Sequence, residues 1–132
     1  MSQRSSIPPD ASEIEAMAHA ALKTIPARLR RHVGNVVIRV EEFPDDATEH
    51  EMDLENPFEL LGLYRGVSMD RKSVHDVADD LDMIFLYRRP MLNYWCETGD
   101  DIEAVVRHVL IHEIGHHFGL SDDDMERIEG KA

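Results

Sequence analysis

From Asp100 to Phe118 the chain commits itself to a long helix that has to be buried. Asp100-x-x-Glu103 has the form of an N-terminal cap. Apolar residues then recur at Ile102, Val105, Val106 and Val109, the three-and-four spacing of one helical face. Wound at about 100° per residue, that stripe runs on towards His112, Glu113 and His116. Ile111, Ile114 and Phe118 add apolar groups on the far side, so the last turns are expected to be covered all round. A helix of this kind needs packing partners on more than one side.

The end of the same helix carries chemistry. Residues 112–122 read H-E-x-x-H-x-x-G-x-x-D. Residues four apart lie one turn above each other, so His112 and His116 can offer imidazole nitrogens to a single metal ion. Glu113, one step round the helix, is placed to take a proton from a water on that metal. Gly119 accepts a positive φ and lets the chain turn sharply out of the helix, which can bring Asp122 back as a third, oxygen ligand. Three protein ligands and an open position are the pattern of a catalytic zinc, and nitrogen donors with tetrahedral geometry favour that ion. Glu113 also lies near the buried face, where an unpaired carboxylate is costly and a metal supplies the missing charge.

Other residues compete for these roles. Asp123 and Asp124 follow Asp122 directly and carry the same ligand chemistry. His117 is rotated away from His112 and His116 and reads as structural or as a support behind the ligands. His108, four residues before His112, extends the row, but a helix rises about 6 Å over that interval, so sharing one ion with both others is difficult. A second electrophile for a tetrahedral oxyanion is required of an amide hydrolase. Tyr64, Tyr87 and Arg88 are candidates by type for such substrate binding, as is Arg89, although residues of both types more often pack strands or cover surface.

With 132 residues the chain suits one domain with a real core. Cys96 is the only cysteine, which excludes an internal disulfide and a multi-cysteine metal site, and it reads as a packed small hydrophobe. The balance of 27 acidic against 14 basic residues, a formal net charge of −13, repels phosphate backbones and argues against nucleic-acid binding. No apolar run approaches a membrane span, and the first residues lack the apolar stretch of a signal peptide. A cytoplasmic location and a monomer are the default expectations.

Residues 1–9 read as a disordered lead-in, and 10–132 as a single domain. Asp10 or Ser12 can cap a first helix, and Ser12-x-x-Glu15 fits a capping box. Its stripe of Ile14, Met17, Ala18, Ala21, Leu22 and Ile25 is interrupted at Pro26, with a short second turn through Leu29. Asn35 to Glu41 reads as a strand, and 45–57 as an acidic loop with room for one helical turn. A short strand over Gly62–Val67 and an apolar strand over Met83–Arg88, stopped by Pro90, follow. A helical turn at Val74–Val77, a short helix from Pro90 to Cys96 and an acidic helix over Ser121–Glu129 complete the expected elements.

Taken together, Leu60-Leu61-Gly62-Leu63-Tyr64-Arg65-Gly66, Ile84-Phe85-Leu86-Tyr87-Arg88-Arg89-Pro90 and above all His108 to Asp124 resemble the small bacterial zincin-like metallopeptidases, or minimal metalloproteases. The resemblance implies a compact α+β zincin-like domain, with a small mixed sheet packed on an N-terminal helix and a C-terminal active-site helix. It implies one zinc ion held by His112, His116 and Asp122, with Glu113 as base, hydrolysing a peptide or protein substrate. The motif is also similar to that of the metzincins, with Asp in place of the third His. A counterpart of their Met-containing turn is not expected, with ten residues after Asp122 in this sequence and Met125 too close to it. Small or unfolded peptides, or activity within a partner complex, are the expected substrates and setting. Two rivals stand beside this reading: a zinc-stabilised binding or regulatory domain without turnover, and a metal-dependent hydrolase of a non-peptide amide.

Overall fold

A computed structural model of the chain describes residues 7–33, 36–66 and 82–130. The expected helical turn at Val74–Val77 lies outside these residues.

Asp10 starts α1 (Ala11–Leu22): its carboxylate accepts from the Glu13 N–H, and the Glu13 side chain accepts in return from the Asp10 N–H. The capping box therefore sits two residues before the Ser12-x-x-Glu15 reading. Pro26 disfavours helical geometry in the residue before it, so α1 ends at Leu22. A new helix, α2 (Ala27–Val33), then begins behind the proline and runs past Leu29. β1 (Val36–Glu41) follows, then α3 (Asp46–Glu51), the helical turn of the acidic loop, capped by Asp45. A 3-10 turn at Pro57–Glu59 leads into β2 (Gly62–Arg65).

β3 (Asp82–Tyr87) ends before the arginines, and α4 (Arg88–Thr98) starts with them. Pro90 thus lies in the first turn of a helix, where its missing N–H costs nothing, and does not stop a strand. Cys96 is exposed, contrary to its reading as a packed residue; Pro90 and Met91 carry the buried side of α4. The long helix is α5 (Ile102–His117), with Asp101 at the N-cap position in place of Asp100 and no side-chain cap bond. α6 (Asp122–Glu129) is capped by Ser121, whose hydroxyl accepts from the Asp124 N–H.

β3 lies between the other two strands, parallel to β1 and antiparallel to β2. The register aligns Ile38, Ile84 and Tyr64 in one row and Val40, Leu86 and Gly62 in the next. Ile84 and Leu86 are fully buried, as are Val106, Leu110, Ile111 and Ile114 of α5 and Ile14 and Ala18 of α1. The Ile, Leu and Val side chains among them contribute about 1.5–3 kcal/mol each when fully buried. The result is an α+β domain in which the sheet packs on α1 and α5, as expected, and α5 is apolar on both sides because α4 and α6 also cover it. No helix among the described residues is long and apolar enough to cross a membrane.

Candidate active site

The apolar stripe of α5 becomes less buried as it reaches the motif. Val105, Val106 and Val109 are buried, His112 and Glu113 half-buried, and His116 and His117 exposed. The helix stops because Gly119 takes φ 75°, a left-handed conformation with no steric cost to glycine. The Leu120 N–H then returns to the Gly115 carbonyl at 2.8 Å, and α6 folds back along α5. Gly115 allows this contact: a Cβ there would lie 2.4 Å from the Met125 sulfur.

Glu113 points to the opposite side, towards the sheet. Its carboxylate accepts the backbone N–H of Tyr64 in β2. Gly62 makes the approach possible, since a Cβ there would stand 2.7 Å from Val109 Cγ1 and 3.4 Å from Glu113 Cγ. Burial pushes the Glu113 carboxyl up from 4.5 to about 7, against the opposing effect of the Tyr64 hydrogen bond. Desolvation penalises the charged form.

The His112 and His116 rings are neighbours, with centroids 5.9 Å apart and planes near perpendicular. Asp122 is the first residue of α6 and is exposed, as is Asp123; their charges also suit a helix N-terminus. Among the described residues, the three donor atoms that converge within 4.8 Å belong to a different trio: His108, His112 and Glu129. Glu129 Oε1 lies 2.6 Å from His112 Nε2, and Oε2 lies 2.8 Å from His108 Nδ1. The roughly 6 Å helical rise that separates His108 from His112 is bridged by ring orientation: His108 presents Nδ1, His112 presents Nε2, and the rings close to 4.1 Å between centroids.

Glu129 escaped the sequence reading because it belongs to the site only through the α5–α6 hairpin. Gly115 and Met125 face each other, as do His112 and Glu129, and both pairs are nearly equidistant from Leu120. A hairpin centred on that turn was the available signal.

Of the remaining candidates, Tyr64 meets Glu113 through its backbone N–H. Its ring stacks on His117 at 4.0 Å, and its hydroxyl donates to the Asp82 carboxylate; burial, chiefly, holds the phenol well above its usual range. Tyr87 is 3% exposed. Arg88 donates to the Pro9 carbonyl and pairs with Glu42, tying the start of α4 to the chain ahead of α1. Arg89 sits over the Phe43 ring.

An active-site helix lying against a small mixed sheet is the arrangement that the sequence resemblance implied. The chain belongs to the zincin-like metallopeptidase family: a family model of that description matches residues 33–132. No curated protein sequence matches the chain. Membership places it, in general terms, among zinc peptidases. The donors fit that metal, for imidazole nitrogens on consecutive turns of α5 and carboxylates on α6 are the ligand types zinc takes.

Proposed function

We propose that this protein is a zinc-dependent peptidase in which His112 and His116 hold the ion, Asp122 completes the set and Glu113 is the catalytic base. The observation that carries the reading is the seat of Glu113. A carboxylate adjacent to His112 in sequence is half-buried against β2 and accepts a backbone N–H there. A purely structural metal site has no use for such a group.

Zinc, when bound, polarises a carbonyl and acidifies water. Glu113 does the proton work: it takes one proton from the attacking water and passes it to the leaving amine nitrogen, so that the peptide bond breaks to an acid and an amine. The Tyr64 N–H holds the carboxylate in place, while the Tyr64 ring lies against His117. Gly62 keeps β2 close enough for this hold. His116 and Asp122 are exposed, so an extended peptide can reach the site without a deep pocket, which supports short or unfolded substrates.

The test is a peptide-library digest with zinc-loaded wild type and Glu113→Gln side by side. Cleavage by the wild type and none by the variant, at equal zinc content, is the expected result. Equal cleavage by both would remove Glu113 from the mechanism. Zinc binding with no cleavage by either would favour a zinc-stabilised binding domain.

A further inference from the structure

The trio at the α5–α6 interface joins one histidine of the HExxH motif to two ligands, His108 and Glu129, that the motif does not include. The geometry points to a second divalent-metal site formed by His108 Nδ1, His112 Nε2 and the Glu129 carboxylate, which shares His112 with the motif and therefore competes with it. Two imidazole nitrogens and a carboxylate form a recognised zinc set. Here all three donors already converge within 4.8 Å. The Glu129 side chain is only 5% exposed, so its carboxylate is held between the helices and directed at the two rings.

The present spacings of 2.6 and 2.8 Å suit a shared proton. Around a tetrahedral zinc with bonds of about 2.0–2.1 Å, donor atoms stand about 3.3 Å apart. A zinc seated among them takes the place of the ring N–H hydrogens, and each neutral imidazole then carries its proton on its other ring nitrogen.

His112 has one Nε2 lone pair and can serve one ion at a time. On the helical wheel His108 and His116 flank His112 at about 40° on either side, and Glu113 lies about 60° beyond His116. An ion held by His108, His112 and Glu129 is therefore displaced from the base. The second site stores the metal in a position without turnover, a consequence that rests on the peptidase reading; the site itself does not.

Zinc titration of the full chain carrying His116→Gln, which breaks the motif's histidine pair, tests this directly. That variant is expected to bind one Zn²⁺, and adding His108→Gln or Glu129→Gln is expected to weaken binding by about tenfold or more. No binding by His116→Gln, or binding unchanged by both additions, overturns the site. A second readout leaves the trio intact. In His116→Gln, the ¹⁵N resonances of His108 Nδ1 and His112 Nε2 should both move on adding Zn²⁺, and a stationary His108 would count against the proposal. Loss of peptidase activity alone leaves these results unaffected, so failure of the catalytic reading is distinguishable from failure of the site.

Discussion

Replacing Glu113 by Gln in the metal-free protein should make it more stable at neutral pH. A carboxyl whose folded-state pKa exceeds its unfolded value binds its proton more tightly when folded. Its contribution to stability is fully present below pH 4.5 and is lost as pH rises through about 7. At about 1.4 kcal/mol per pH unit, the displacement corresponds to about 3 kcal/mol, and solvent reaching part of the side chain reduces that to roughly 2–3 kcal/mol. Glutamine keeps an oxygen for the Tyr64 N–H and carries no charge to desolvate. For a chain of this size the gain amounts to roughly 10 °C in Tm. Thermal melts of both proteins in chelator, from pH 4 to 8, isolate the effect. The curves should coincide near pH 4 and separate by pH 8 with the variant higher. A constant offset, or a variant less stable at pH 8, would refute the placement of Glu113 in a desolvated seat.

Three other substitutions or treatments follow from the same geometry. Gly115→Ala should lose about 1–3 kcal/mol in denaturant unfolding, because its Cβ would press on the buried Met125 and push α6 away, outweighing the roughly 1 kcal/mol better helix propensity of alanine. Gly119→Ala meets nothing within 4 Å, so its cost should be the backbone term alone, about 1–2 kcal/mol, read by the same assay. Chelation of zinc-loaded protein should lower Tm, and excess Zn²⁺ should restore it, since an ion that binds only the folded state stabilises it; a melt indifferent to chelator would argue against a metal that holds α5 and α6 together.

Much of the fold was legible because local chemistry and burial agree. The stripe from Ile102 to Val109 is buried, Ile111 and Ile114 close the far side, and Gly119 takes the left-handed turn that its position demanded. Boundaries were less legible where two local devices compete. Asp10 takes the cap in preference to Ser12, and Pro90 enters a helix because Arg88 and Arg89 leave the strand first. Cys96 misled because burial on α4 depends on which side meets the core, and Met91 marks the other side. The candidate site divides in the same way. Glu113 and His112 follow from the motif, but Glu129 reaches the site only through tertiary packing, seventeen residues from His112. Spacing within one helix does not contain that contact.

His112 is the residue common to both sets of donors, so its replacement tests the metal centre most directly. Wild type and His112→Gln should be loaded with zinc, dialysed and assayed for metal by elemental analysis, with circular dichroism to verify folding. The expected result is about one zinc per wild-type chain and less than about a tenth of that in the variant. A folded His112→Gln protein that retains full zinc, or a wild type that retains none, would contradict a metal centre built on α5.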